Sequence, residues 1–225
     1  MKVLLGMLTR ANPADEPFQE AALSVMASSF DGVKTLDDGG KPVSDFSAQR
    51  NRLIDFGERE GYDWMFMIDA DECMFPEDIA TVRSMMTKRR RLIILPRIDF
   101  AKDFDHVDPT PYPDYQARVF RLGAGYRFRK PVHEGLFRRF SPASDKRLGL
   151  GTISDSTPIY HYGRLRTREQ IELKAYNYQQ LMQGASPVDV RPEGWVENPT
   201  GEYWAQLKPF DDPHPLRGLV AWPPG

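Results

Sequence analysis

The chain has 225 residues, a formal net charge of −2 at pH 7 and a single cysteine, Cys73. This length is sufficient for one α/β domain with a full hydrophobic core. The near-neutral charge argues against stable nucleic-acid binding, no segment has the apolar length of a transmembrane helix, and one cysteine excludes an intrachain disulfide, which favours a cytoplasmic location.

The first half of the chain alternates apolar strands with amphipathic helices. Strands are predicted at Val3–Leu8, Gly32–Leu36, Trp64–Ile68 and Leu92–Leu95, and helices at Glu16–Ser29, at Asp45–Glu60 and from Pro76 onward. This order predicts a mostly parallel central sheet with right-handed crossovers and flanking helices. The carboxyl ends of the strands in such a sheet lie at one edge, where ligands bind.

Polar residues follow three of these predicted strands. Thr9 comes after the first strand, Asp37-Asp38 after the second, and the acidic stretch Asp69–Glu72 after the third. Carboxylate oxygens are the ligands that Mg²⁺ and Mn²⁺ prefer, and these ions commonly bridge to phosphates of a substrate. The pattern therefore predicts a metal and nucleotide pocket at this edge.

The second half has a different character. Arg97–Pro113 is rich in Asp, Pro and aromatic residues and is predicted to be a loop over the site. Short antiparallel strands are predicted at Gln116–Leu122, Tyr126–Arg129 and Gly135–Phe140. We expect residues 1–184 to form the domain and residues 185–225 to form an irregular extension that bears Pro and Trp and packs on it. His214, in that extension, is predicted to be a surface or loop residue.

Five motifs together resemble the GT-A glycosyltransferases of family 2, in the branch that includes lipopolysaccharide-core glucosyltransferases. The motifs are Asp37-Asp38-Gly39, Gln49-Arg50-Asn51, Ile68–Glu72, Tyr112–Arg121 and Pro131–Glu134. The resemblance implies a GT-A (nucleotide-diphospho-sugar transferase) fold. It also implies a metal-dependent enzyme that moves a sugar from a nucleotide-diphosphate sugar to an acceptor hydroxyl with inversion. It covers residues 1–165, and Thr9-Arg10-Ala11-Asn12 departs from the usual Tyr-Asn pair of the first loop.

The resemblance implies a cofactor, Mn²⁺ or Mg²⁺, and three residues that hold it. Asp71 is expected to coordinate the metal directly, and Asp69 to reach the ribose or a metal-bound water. His161 lies where many GT-A enzymes supply a late metal ligand. The alternatives are that the two aspartates are surface turn residues and that His161 is packed among its aromatic neighbours. Glu72 is expected to form local hydrogen bonds.

The implied donor is a UDP-sugar. Asp38, with Asp37, is expected to recognise the uracil ring, although Asp-Asp-Gly-Gly is also a good turn sequence. Arg50 is expected to face the nucleotide, where it would neutralise phosphate or stack near the base, and Thr9 to contact the base. The remaining expected substrate-binding residues are Arg118 and His133.

Inversion requires a general base beside the acceptor hydroxyl, and Glu134 is the candidate. The alternative is a structural Glu134 that holds the guanidinium of Arg118 or Arg121. Asp114 is the second candidate for the base, or a group that binds the acceptor. The acceptor itself stays open among a glycan, a lipid-linked saccharide and other molecules that bear a hydroxyl group.

A second function is consistent with the same residues. A degenerate GT-A domain would bind nucleotide or carbohydrate without turnover, although the intact pair Asp69 and Asp71 argues against this. A sugar nucleotidyltransferase would carry a glycine-rich phosphate loop after the first strand, and no glycine occurs between Thr9 and Pro13.

Overall fold

The central strands form where apolar runs can be buried on both faces of a sheet. In the computed structural model, β1 (Val3–Leu8) lies between β2 (Gly32–Leu36) and β3 (Trp64–Asp69), and all three are parallel. The predicted bounds of β1 and β2 are confirmed. Because the strands are parallel, their carboxyl ends lie together at one edge.

The structure describes residues 1–9, 16–37, 39, 45–109, 113–131, 134–139, 141–142, 151–165, 168–185 and 207–220. None of the helices in these ranges is long and apolar enough to cross a membrane. Two of the predicted substrate-binding residues, Asp38 and His133, lie outside the described residues.

Four α-helices connect or follow the strands of the described chain. They are α1 (Gln19–Met26), α2 (Phe46–Arg59), α3 (Pro76–Met85) and α4 (Arg168–Met182). The carboxylate of Asp45 accepts the N–H of Ala48 and thereby caps α2. The first helix is shorter than predicted because the chain tightens into a 3₁₀ turn at Ala27–Ser29.

The fourth strand of the first half is longer than the sequence predicts. β5 spans Leu92–Ala101, and β6 (His106–Asp108) pairs with it in antiparallel orientation. The prediction of a loop over Arg97–Pro113 is therefore wrong for its first part. Phe100 and Ala101 are fully buried, so the strand continues because these apolar side chains join the core.

An antiparallel strand is inserted into the central sheet. β7 (Asp114–Arg121) lies between β3 and β5 and pairs in antiparallel orientation with both. A separate antiparallel sheet contains β8 (Tyr126–Arg129), β9 (Gly135–Arg138) and β10 (Ser141–Pro142). The protein is thus a mixed α/β structure whose central sheet keeps β1, β2, β3 and β5 in one direction.

Four further strands complete the central sheet. They are β4 (Glu72–Cys73), β11 (Thr152–Ile153), β12 (Ile159–Arg164) and β13 (Lys208–Pro209). β12 runs parallel to β5 and antiparallel to β4. β12 therefore lies between β4, which follows the acidic turn, and the second half of β5. His161 on β12 is paired with a residue of each of these strands.

Side chains on β3 alternate between two hydrophobic cores, as expected for a strand buried on both faces. Trp64, Phe66 and Ile68 join the core that contains residues of α1 and α3. Met65 and Met67 join the core that contains residues of α2 and of the small antiparallel sheet. The helices therefore cover both faces of the sheet and leave its carboxyl edge for polar side chains.

The segment 207–220 contacts the domain through β13, which pairs with β6, and through His214. His214 is 3% exposed, and its ring centroid lies 4.7 Å from that of Phe100 and 5.1 Å from that of Phe104. Its Nδ1 is 3.1 Å from the hydroxyl of Tyr162. His214 is predicted to be a surface or loop residue; it lies in a loop but is buried rather than at the surface. Burial, together with nearby Arg217, lowers the pKa of His214 to about 4.

Candidate functional site at the carboxyl edge

The residues that follow β1 and β2 have different environments. Thr9 is 8% exposed, and its N–H donates to the carbonyl of Leu36 at 3.0 Å, which ties the ends of the two strands together. Asp37 is exposed, and its Oδ1 accepts the N–H of Gly39 at 2.7 Å. Asp37 therefore forms a local turn, and its carboxylate stays accessible at the edge.

Two arginines hold Asp69 at the end of β3. Arg50 Nη2 donates to Asp69 Oδ1 at 2.6 Å, and Arg118 Nη2 donates to Asp69 Oδ2 at 2.7 Å. Burial opposes ionisation of Asp69, but the guanidiniums of Arg118 and Arg50 outweigh it and hold the pKa of this carboxyl well below its usual range. Asp69 is therefore a fixed carboxylate whose two oxygens both accept from arginine.

Glu72 stabilises the acidic turn after β3 through buried hydrogen bonds. Its side chain is fully buried, its Oε2 accepts the N–H of Asp69 at 3.0 Å, and its Oε1 accepts from Arg118 Nη2 at 2.6 Å. The prediction that Glu72 forms local hydrogen bonds is confirmed. Arg118, expected to contact substrate, is 6% exposed and serves these two carboxylates instead.

Arg50 connects α2 with the segment before β9. Its Nε donates to Glu134 Oε1 at 2.7 Å, and its guanidinium lies 5.3 Å from the ring centroid of Phe128. The side chain is 4% exposed, so it lies beneath the site rather than facing it as predicted. The predicted structural role of Glu134 is to hold the guanidinium of Arg118 or Arg121. Glu134 instead hydrogen-bonds to Arg50, and its charge also acts on Arg118.

Arg97 holds Asp114, the second candidate for the general base. Arg97 on β5 and Asp114 on β7 are cross-strand partners, and Arg97 Nη2 lies 2.8 Å from Asp114 Oδ2. Arg97 also lies 3.6 Å from Glu72 and 3.4 Å from Asp99. Asp114 retains partial exposure, with 23% of its side chain accessible, so it lines the edge of the site.

His161 on β12 lies between two aspartates. Its Nδ1 is hydrogen-bonded to Asp99, and its Nε2 is 3.6 Å from Asp71 Oδ1. Burial favours the neutral imidazole, but Asp71 and Asp99 outweigh it and raise the pKa of His161 to about 9. His161 is therefore held by specific carboxylates and is not merely packed among aromatic neighbours.

Gly163 packs closely against Asp71 and His161. A Cβ at Gly163 would collide with His161 Nε2 and would lie 2.7 Å from Asp71 Oδ2. In the described part of the chain, no group of three His, Cys, Asp or Glu side chains is arranged to hold a metal ion. Asp71 Oδ1 and His161 Nε2 are 3.6 Å apart, a separation that fits two ligands of one ion that takes its remaining ligands from substrate phosphates and water.

Among the described residues, ion pairs join these side chains into one network in which carboxylates outnumber cationic side chains. It contains three arginines and one histidine, namely Arg50, Arg97, Arg118 and His161, and six carboxylates, namely Asp69, Asp71, Glu72, Asp99, Asp114 and Glu134. An acidic excess in a partly buried network attracts cations and makes the binding of an isolated anion unfavourable.

Three members of the site were missed by sequence reasoning: Arg97, Asp99 and Gly163. Arg97 and Asp99 lie two residues apart on β5 and therefore share a face of the sheet. Had the apolar residues Ile98, Phe100 and Ala101 been taken as a continuation of the strand, this shared polar face would have been visible. The need for glycine at position 163 depends on contacts across strands, which no local pattern reveals.

No model of a known protein family matches this sequence, and no curated protein matches it. Among solved structures, the chain is similar to A197 from STIV, with a TM-score of 0.41 and 12% sequence identity. The match covers 72% of this chain and 86% of that chain. A likeness at this level identifies neither a family nor a function, so the function is argued from the site.

Proposed function

We propose that this protein is a metal-dependent glycosyltransferase that moves a sugar from a nucleotide-diphosphate sugar, with a UDP-sugar as the expected donor, to an acceptor hydroxyl. The observation that carries the proposal is the pair Asp71 and His161, whose Oδ1 and Nε2 atoms lie 3.6 Å apart at the carboxyl edge of the parallel strands. This edge is where open α/β sheets bind their ligands.

Asp71 and His161 are the residues that would hold Mn²⁺ or Mg²⁺. An imidazole beside a carboxylate favours Mn²⁺, since Mg²⁺ prefers oxygen ligands alone. The acidic excess of the surrounding network supports a cation rather than an anion at this position. A bound divalent cation would offset the negative charge that develops on the departing nucleoside diphosphate.

Residues at the carboxyl ends of the neighbouring strands would bind the nucleotide part of the donor. Asp69 is ionised and immobilised by two arginines and retains 26% side-chain exposure, which suits a carboxylate that accepts a hydrogen bond from a ribose hydroxyl. Thr9 and Asp37, two of the residues expected to contact the base, follow β1 and β2 at the same edge.

Glu134 would take the proton from the acceptor hydroxyl. As the acceptor oxygen attacks the anomeric carbon, the bond from that carbon to the diphosphate oxygen breaks on the opposite face, which inverts the configuration. Arg50 holds Glu134 by its Nε at 2.7 Å and so determines where the carboxylate lies. Asp114, held by Arg97, is the second candidate for the base and otherwise an acceptor-binding group.

A thermal-shift panel tests the donor site. Nucleoside diphosphates and nucleotide-sugars are added with Mn²⁺, Mg²⁺ or EDTA, because a ligand that binds only the folded state raises Tm by mass action. We expect a Tm increase with a uridine nucleotide that requires the metal and is lost in Asp71→Ala. The control is Asp31→Ala, which removes an ion pair with Arg83 at the opposite end of the strands and should keep the shift.

Turnover separates the enzyme from the degenerate binding domain. Release of nucleoside diphosphate from the donor, by hydrolysis or by transfer to a supplied saccharide, supports the enzyme. A metal-dependent Tm shift without any release over long incubation with a panel of acceptors favours a domain that binds without catalysis. The absence of a shift with every nucleotide would refute the donor site itself.

A further inference from the structure

Asp99 is a buried residue for which the proposed reaction has no assigned role. It lies on β5 directly opposite His161 on β12, and the two are paired in the register of the parallel strands. Its side chain is 8% exposed and is hydrogen-bonded to Nδ1 of His161. Its second oxygen faces Arg97 Nε at 3.4 Å, so the carboxylate is held from the other side as well.

This contact determines which nitrogen of the imidazole is available. A carboxylate is an acceptor, so the hydrogen bond places a proton on Nδ1 of His161. Nε2 then faces Asp71 Oδ1 at 3.6 Å and lies next to Gly163. In protein metal sites, a ligating histidine generally donates its other N–H to a carboxylate or carbonyl, which fixes the tautomer and the ring plane and raises the basicity of the ligating nitrogen.

The backbone makes this arrangement rigid. The N–H of Tyr162, the residue after His161, donates to the carbonyl of Asp71 at 2.8 Å, and β12 pairs with both β4 and β5. Asp71, His161 and Asp99 therefore lie on three chain segments joined by ladder hydrogen bonds. Asp99 on β5 can therefore orient the imidazole of His161 on β12 toward the carboxylate of Asp71, which follows β3.

We propose that Asp99 is a positioning residue that holds His161 with Nε2 directed at a divalent cation shared with Asp71. The proposal rests on the metal pocket of the proposed function and extends it by one residue. Asp99 does not touch the cation or the donor; it acts through His161.

Manganese affinity of the full chain is the test, measured by titration calorimetry with Mn²⁺ alone and with Mn²⁺ plus UDP. Asp99→Asn keeps an acceptor oxygen but removes the charge, and Asp99→Leu removes both. We expect Mn²⁺ binding to weaken by about 10- to 100-fold in Asp99→Asn and further in Asp99→Leu. The matched control is Asp108→Asn, because Asp108 is buried on the adjacent strand but pairs with Arg164.

A double-mutant cycle distinguishes positioning from a general loss of stability. If Asp99 acts through His161, Asp99→Asn should change Mn²⁺ affinity little in a His161→Gln background, whereas a purely structural effect would persist. Unfolding midpoints of the metal-free variants report the structural contribution separately. On the wild-type chain with ¹⁵N-labelled histidine, spin-echo spectroscopy of bound Mn²⁺ should detect a directly coordinated nitrogen.

The outcomes separate the two proposals. Wild-type Mn²⁺ affinity retained in Asp99→Asn, or no nitrogen coupling at bound Mn²⁺, would overturn the role of Asp99 and leave a metal site on Asp71 standing. A wild-type chain that does not bind Mn²⁺, with or without UDP, would refute the metal pocket itself. If Asp99→Asn fails to fold, the nitrogen coupling in the wild-type chain still decides whether His161 is a ligand.

Discussion

Buried His214 predicts a specific dependence of stability on pH. The unfolded chain protonates this residue near its ordinary pKa of 6.5, whereas the folded chain does so only near pH 4. Between these values the unfolded state binds more protons. The contribution of His214 to stability is therefore fully present above pH 6.5 and is lost as the pH falls toward 4.

The magnitude follows from the separation of the two pKa values. Each pH unit between them is worth about 1.4 kcal/mol. At pH 4.5 the free energy of unfolding should therefore be about 2.5 kcal/mol lower than at pH 7 because of this residue alone. The physical cause is the environment of the imidazole: Phe100, Phe104 and Tyr162 surround it, and the nearest cation, Arg217, adds to the cost of protonation.

The perturbation is His214→Phe, which keeps an aromatic ring but cannot titrate. Urea denaturation at pH 7 and pH 4.5 gives the free energy of unfolding of both proteins. We expect the wild type to lose about 2.5 kcal/mol more than the variant between these pH values. Other titrating groups contribute equally to both proteins and cancel.

Phe104→Leu is the control, because it removes a ring packed on His214 but keeps the titrating group. It should lower stability at both pH values and retain most of the pH dependence. Equal pH dependences of the free energy of unfolding in the wild type and His214→Phe would refute the reasoning, since they would mean that folding does not lower the pKa of His214.

Three further predictions concern the site. Arg118→Met should lower the free energy of unfolding by roughly 3–5 kcal/mol in urea titrations, because it removes the guanidinium that donates to both Asp69 and Glu72 and leaves the fully buried Glu72 with only the more distant Arg97 as a cation partner among the described residues; a loss below about 1 kcal/mol would contradict the buried network. Gly163→Ala should weaken Mn²⁺-dependent donor binding at least about tenfold with an unchanged circular dichroism spectrum, because its methyl group would enter the space between His161 and Asp71. Glu134→Gln should preserve donor affinity and lower turnover by roughly 10²- to 10⁴-fold; near-normal turnover would move the base assignment to another carboxylate.

Local sequence patterns predicted the bounds of several elements in the first part of the chain. β1 and β2 have their predicted bounds, and α2 differs from its prediction by one residue at each end. Apolar runs and capping residues act within a few positions along the chain, so they are visible without tertiary information. The same reasoning stopped β5 too early, because Arg97 and Asp99 interrupt its apolar run.

Charged residues in the core explain why that boundary was missed. Arg97 and Asp99 are tolerated in a strand because Asp114, Glu72 and His161 surround them with opposite charge. None of these partners is adjacent in sequence. A polar residue in a strand therefore looks like a loop residue until the partners that compensate its burial are known.

The sequence alone determined where carboxylates follow strands, because parallel strands place their carboxyl ends at one edge whatever their order. Only the tertiary structure decided what those carboxylates do. Arg50 and Glu134 are 84 positions apart and yet form one ion pair, and the imidazole of His161 is directed by a strand that the sequence appeared to end before Asp99. Burial makes an ion pair depend on its three-dimensional neighbours, whereas a strand or a helix is specified by residues close along the chain.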